Sequence, residues 1–145
     1  MLIKQISVFV ENKEGRLAEI TETIANAGVD IRALSIADTT DFGILRLIVD
    51  KPHETEDVLK KAGFTVSVTN VIAVGIDDVP GGFAKPMRVL ANAHIDVEYM
   101  YAFISRDTKK AYVILRVNDN ETATSVLKDA GIVLLDEIGF HDMMK

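Results

Sequence analysis

Residues 3–10, Ile-Lys-Gln-Ile-Ser-Val-Phe-Val, form a run rich in β-branched and aromatic side chains, which reads as a strand. A polar turn follows at Glu11-Asn12-Lys13-Glu14-Gly15. Leu17, Ile20, Ile24 and Ala27 then recur at spacings of three and four, which predicts an amphipathic helix. Gly28 stands where a left-handed helix C-cap belongs. Residues 30–38 predict a second strand, residues 39–43 a turn and residues 44–49 a third strand. Pro52 suits the first turn of a helix. Val58, Leu59 and Ala62 give that helix a core face, Gly63 caps it, and residues 64–69 predict a fourth strand.

The same pattern then repeats. At an offset of 66, Ala25-Asn26-Ala27-Gly28-Val29-Asp30-Ile31 falls on Ala91-Asn92-Ala93-His94-Ile95-Asp96-Val97, and Gly15, Ala18 and Asp41 fall on Gly81, Ala84 and Asp107. Further on the offset becomes 68, and Val58-Leu59-Lys60-Lys61-Ala62-Gly63 matches Val126-Leu127-Lys128-Asp129-Ala130-Gly131. The two extra residues fit a turn around Thr108-Lys109-Lys110, where hairpins tolerate length changes. Such ordered self-similarity marks an internal duplication. The second copy predicts strands at 71–76, 95–104, 111–117 and 132–137, helices at about 82–93 and 120–130, and a loosely held tail from Gly139 to Lys145. Pro86 is compatible with its helix if that helix begins near Phe83, because the first turn has no need of its N–H.

Each copy therefore reads βαββαβ. The fold class is α+β, with two ferredoxin-like domains of antiparallel strands and helices on one face, residues 1–69 and 70–145. No Gly/Ser-rich or Pro-rich linker divides them, so the copies are expected to pack rigidly. The strands are apolar on both faces: Ile95, Val97, Tyr99, Tyr101 and Phe103 alternate with Met100, Ala102 and Ile104. Helices cover one face only. A second sheet is the simplest cover for the other, which argues for a homodimer, unless the fused copy shields enough surface alone.

Composition narrows the field. Among 145 residues there is no cysteine, which removes disulfides and thiolate metal sites and favours the cytoplasm. The net charge of −6 withholds the electrostatic attraction that dominates nucleic-acid binding and argues equally against anionic membranes. No apolar run is long enough for a membrane span, and the N-terminus lacks a signal-peptide pattern. His53, His94 and His141 are too scattered for a metal site. No serine sits in a Gly-x-Ser-x-Gly setting, and no Walker or Gly-x-Gly-x-x-Gly motif is present. Asp77-Asp78 are adjacent in a turn and are expected to point apart into solvent. Tyr99, Tyr101 and Phe103 read as core or interface, since an RNA-stacking sheet would come with basic charge. No catalytic residue and no cofactor are expected.

The strand-to-helix turns are the candidate sites: Asn12, Lys13, Glu14, Gly15, Arg16 and Leu17 in the first copy, and Asp78, Val79, Pro80, Gly81, Gly82 and Phe83 in the second. A helix start offers unpaired N–H groups and a dipole that favour a carboxylate, and glycine lets a ligand approach the backbone. An amide such as Asn12 can hold an ammonium and a carboxylate together. These features match the zwitterion of a free amino acid, but they also describe an ordinary turn closed by Asn12 on itself.

The pattern Asn-x-x-Gly-x-Leu after a strand, followed about a dozen residues later by Gly-Val-Asp-Ile, resembles the ACT domain, a βαββαβ module that binds amino acids in metabolic enzymes and regulators. The second copy repeats it in altered form at the matching positions, with Asp78, Gly81 and Phe83 and then His94-Ile95-Asp96-Val97, and the two copies cover nearly the whole chain. The resemblance implies a regulatory sensor without catalytic activity, its ligand held by these loops at domain interfaces. The alternative is a regulatory subunit bound to an amino-acid biosynthetic enzyme, similar to the small subunit of acetolactate synthase. It also implies ligand contacts from Asn12, from Asp78 at the matching position, and from Asp30 and Asp96 at the heads of the second strands. Pro80 matches the proline the family often places before the glycine, whereas Glu14 does not. Asp78, Asp30 and Asp96 stand where the family often has Asn. A carboxylate there repels a ligand carboxylate and suits its ammonium instead. His94 replaces Gly28 at a left-handed position and is expected to distort the cap. The copies therefore need not both bind.

Overall fold

The computed structural model describes residues 2–38, 41–103 and 110–143. Its strands are β1 (Ile3–Glu11), β2 (Ile31–Asp38), β3 (Phe42–Val49), β4 (Thr65–Asp77), β5 (Val97–Phe103), β6 (Lys110–Val117) and β7 (Val133–Leu135). Its helices are α1 (Arg16–Asn26), α2 (Pro52–Lys61), α3 (Ala84–Asn92), α4 (Asn120–Asp129) and α5 (Glu137–Met143). Two compact units result, Lys4–Thr69 and Met1–Ile3 with Asn70–Lys145. The predicted strands at 64–69 and 71–76 are one element, β4, which contributes to both units. The predicted turns at Thr39-Thr40 and Thr108-Lys109 and the match at Asp107 lie outside the described residues, as does Ile104.

In the first unit the strand order is β2-β3-β1-β4. β1 and β2 both run antiparallel to β3, with Val8 opposite Leu45 and Leu34 opposite Leu47. Ile6, Val8 and Val10 of β1 meet Leu45, Leu47 and Val49 of β3 beneath Ile20 and Ile24 of α1 and Leu59 of α2. The second unit repeats this as β7-β4-β6-β5. There Ile72, Val74, Leu115 and Val117 form the core with Leu90 of α3 and Leu127 of α4. Burial of such aliphatic side chains, each worth about 1.5–3 kcal/mol, is what holds each layer of helices on its sheet.

Local chemistry explains the element ends. Pro86 occupies the third position of α3 and is buried, where its missing N–H breaks no intrahelical bond. Asp119 caps α4 by accepting from the Thr122 N–H at 3.0 Å. His94 does not distort its cap, contrary to expectation. It adopts φ 59°, and the helix end closes through Ile95 N–H to Leu90 O at 3.0 Å, as Val29 N–H closes to Ile24 O at 3.3 Å after Gly28. The Schellman hydrogen bonds outweigh the Cβ strain of a non-glycine residue.

Two further expectations are corrected. Strict alternation along residues 95–103 fails because the register slips between Val97 and Tyr99. Val97 joins Ile95 on the helix side, while Tyr99, Tyr101 and Phe103 take the other face. The first copy slips at the matching place, between Ile31 and Ala33. A bulge adds one residue and turns every later side chain over.

The predicted tail is ordered through Met143. After a strand cut short at Leu135, Asp136 caps α5: its Oδ1 accepts from the Gly139 N–H at 2.7 Å and its backbone oxygen from the Phe140 N–H at 2.9 Å. Phe140 is fully buried, with its ring centroid 5.0 Å from that of Phe103. In the second unit, then, Phe140 of α5 packs against Phe103 on the sheet face opposite the main helices. The chain itself thus covers part of that face.

Candidate functional site

Each strand-to-helix turn borders a cleft, and the two clefts are equivalent. The first, about 110 Å³, is lined by Phe9, Glu11, Arg16, Gly63, Phe64 and Thr65. The second, about 260 Å³, is lined by Gly75, Ile76, Asp77, the loop Val79 to Gly82, Lys85, Lys110 and Gly131, Ile132 and Val133. At the repeat offsets, all six residues of the small cleft have counterparts in the large one: Gly75, Asp77, Gly82, Gly131, Ile132 and Val133.

The differences between counterparts set the space. Phe9 lies opposite Ile44 across the strand pair and stacks on Phe42 with centroids 4.5 Å apart. In the second unit a glycine, Gly75, faces Tyr112 instead. Arg16 gives way to Gly82, which has no room for a side chain: a Cβ there would collide with the backbone oxygen of Asp77. Bare backbone thus lines the larger cleft where the smaller one has an aromatic ring and a guanidinium.

The charges differ as well. In the first turn, Lys13 Nζ lies 2.9 Å from Glu11 Oε2, which holds the Glu11 carboxyl below its ordinary range through hydrogen bond and charge. Arg16 pairs with Glu19 at 3.0 Å. Asn12 donates from Nδ2 to Asp38 Oδ1 at 3.0 Å, and its backbone N–H reaches Asp41 O at 3.1 Å. This turn is tied to itself and to the neighbouring hairpin; Glu14 and Leu17 lie exposed beside it. In the second cleft Lys110 donates to Asp77 Oδ1 at 3.0 Å. Lys85, the counterpart of Glu19, has no partner among the described residues.

Both helix starts keep free donors. Gly15 caps α1 in a left-handed conformation without a side-chain bond, and the N–H groups of Leu17 and Ala18 find no acceptor among the described residues. The same holds for Phe83 and Ala84 at α3. Only the second set adjoins both an unpaired cation and an open cleft.

Of the sequence-predicted residues, Val79, Pro80, Gly81 and Gly82 line the larger cleft and Arg16 the smaller. Asp78 and Phe83 flank the larger cleft without lining it. Asp30 and Asp96 lie elsewhere in their units. The Asp30 N–H donates to Asp50 Oδ1 at 2.9 Å, and its carboxylate meets Arg32 at 3.2 Å. The Asp96 N–H donates to Asn118 Oδ1 at 3.2 Å. Asp30 is a full strand length, roughly 25 Å, from the end of β2 where Asp38 meets Asn12. Sequence reasoning missed Gly75, Ile76, Lys85, Lys110 and the segment Gly131 to Val133, and it left Asp77 to solvent, whereas Asp77 lines the cleft beside Lys110. The self-alignment held the signal for two of them, since it sets Gly75 against Phe9 and Lys85 against Glu19.

Among the described residues no helix is long and apolar enough to cross a membrane, and no cluster of His, Asp and Glu is arranged to hold a metal. Comparison with known proteins agrees with this architecture. The family model for the ACT domain pair matches residues 1–144. The crystal structure of protein BT0572 from Bacteroides thetaiotaomicron superposes with a TM-score of 0.91 at 38% identity, covering 97% of this chain and 96% of that one. The ligand-free regulatory subunit of aspartate kinase from Thermus thermophilus shares the fold, with a TM-score of 0.64, 17% identity and coverage of 89% and 93%. The corresponding subunit from Thermus flavus gives 0.62 at 14% identity, covering 98% and 92%. No curated protein matches the sequence. The duplicated βαββαβ units, their paired strand-to-helix turns and the family match over nearly every residue lead to one assignment: the chain belongs to the ACT domain pair family.

Proposed function

We propose that this protein is a regulatory sensor of a free amino acid, without catalytic activity of its own, and that the ligand occupies the cleft of the second unit. The observation that carries this reading is the contrast between the two clefts. Where the first has Phe9, Arg16 and Glu19, the second has Gly75, Gly82 and a Lys85 that, like the first N–H groups of α3 beside it, is unpaired among the described residues. A ligand carboxylate fits Lys85 and the helix start. Asp77, turned toward Lys110 by one oxygen, leaves the other for an ammonium group. Val79, Pro80, Ile132 and Val133 supply apolar wall for a side chain. The test is a melting scan against each standard amino acid at millimolar concentration, on the native chain and on Lys85→Glu. A ligand at a hundred times its Kd adds about 2.7 kcal/mol of stability. A rise in Tm lost in Lys85→Glu supports the reading. No rise with any amino acid, or an equal rise in Lys85→Glu, removes it.

A protein partner is the second part of the reading. Leu34 and Ile36 on the edge strand β2 are 57% and 46% exposed. Apolar side chains beside unpaired backbone of a sheet edge suit a second copy of the chain, giving a homodimer, or the catalytic enzyme that the sensor would regulate. Light scattering on the native chain and on Leu34→Lys tests the first. Co-purification of an enzyme with the native protein tests the second.

A further inference from the structure

Helix α5 has no counterpart in the first copy, and it stands at the end of two short routes from the second cleft. Along one, Gly75 in the cleft wall faces Tyr112, whose ring centroid is 6.0 Å from that of Phe103, which in turn lies 5.0 Å from Phe140. Along the other, Ile132 and Val133 of the cleft wall continue into β7, and a single residue, Asp136, joins β7 to α5. β7 is held to β4 over only three residues, at Val133, Leu134 and Leu135.

The docking of α5 is slight. Phe140 is its one fully buried side chain, Ile138 is 73% exposed, and the buried Nδ1 of His141 has no hydrogen-bond partner among the described residues. A seven-residue helix has almost no stability of its own. Detachment of the segment β7–α5 therefore belongs among the low-energy openings of the fold. That same opening dismantles the cleft, because Ile132 and Val133 are one of its walls.

We infer that α5 is the output element of the second cleft: an occupant of the cleft holds β7 and α5 down, and an empty cleft lets them release the Phe103 ring on which Phe140 packs. This rests on the ligand site proposed above. The coupling follows from linkage, since a ligand that needs the docked wall binds only the docked state and raises its population in proportion.

Hydrogen exchange at residues 137–143 reads this directly. An amino acid that raises the Tm should also slow exchange in α5, by about a hundredfold at a hundred times its Kd. A Tm rise with unchanged exchange at 137–143 overturns the inference. If no amino acid raises the Tm, the sensor reading has failed, and a tethered occupant decides the coupling by itself. The chain has no cysteine, so Val79→Cys in the exposed loop places one thiol at the cleft. N-ethylmaleimide on Cys in Val79→Cys should slow exchange at 137–143 severalfold relative to the unlabelled variant. Equal rates in the labelled and unlabelled forms overturn the proposal.

Discussion

Gly75 and Tyr112 face each other across β4 and β6, and a Cβ on Gly75 would stand 3.0 Å from the edge of the Tyr112 ring. In the first copy the corresponding pair is Phe9 and Ile44. One large and one small side chain fill the same place from opposite strands. The choice of strand decides whether the adjoining cleft is walled by a ring or by bare backbone.

Exchanging that choice gives the first prediction. Gly75→Phe alone should cost about 1–3 kcal/mol through overpacking against Tyr112 and Val133. Adding Tyr112→Ile should recover more than half of that loss in denaturant titrations. Both variants should lose any ligand-dependent rise in Tm, because the cleft then resembles the small one.

His94 is the sole non-glycine residue with positive φ among the described residues. His94→Gly removes a Cβ from a left-handed position and should stabilise the protein by about 1 kcal/mol, less the larger entropy of the unfolded glycine. Chemical denaturation at neutral pH measures it. An unchanged or lowered midpoint would show that the imidazole makes up for the strain.

Asp119 carries a pH signature. The hydrogen bond from Thr122 holds its carboxyl below the ordinary aspartate range. A depressed folded-state pKa means stability that is present above the unfolded value and lost as pH falls through the folded one. Asp119→Ala should therefore melt lower than the native chain at neutral pH, and the gap should close as the pH drops below about 4. A gap that persists in acid would assign the effect to packing instead.

Asp136→Ala removes the cap of α5 and should cost about 0.5–2 kcal/mol locally. Exchange at residues 137–143 should quicken while the cores around Leu90 and Leu127 keep their protection. Uniform loss of protection would mean that α5 unfolds only with the whole unit.

The duplication, the order of elements and the place of Pro86 were legible in the sequence because each rests on local spacing or on self-similarity. The bulges at Ile31–Ala33 and Val97–Tyr99 were not. A one-residue slip changes which face a side chain takes but leaves the apolar composition of the strand unchanged. Helix α5 was missed because seven residues with one deep anchor, Phe140, give too little periodicity to register. The turns at Asn12 and Asp78 could be found by motif. The pairing of Gly75 with Tyr112 required knowing which strands lie side by side.

The cover over Phe103 comes from a segment later in the chain than every strand of its sheet. On the ribosome, the second sheet must wait with the Phe103 ring bare until residues 137–143 have emerged. During that interval the nascent chain presents a sticky surface of the kind that chaperones hold. A premature stop after Leu135 would make the interval permanent, leaving a chain with both helical layers intact and a strong tendency to aggregate.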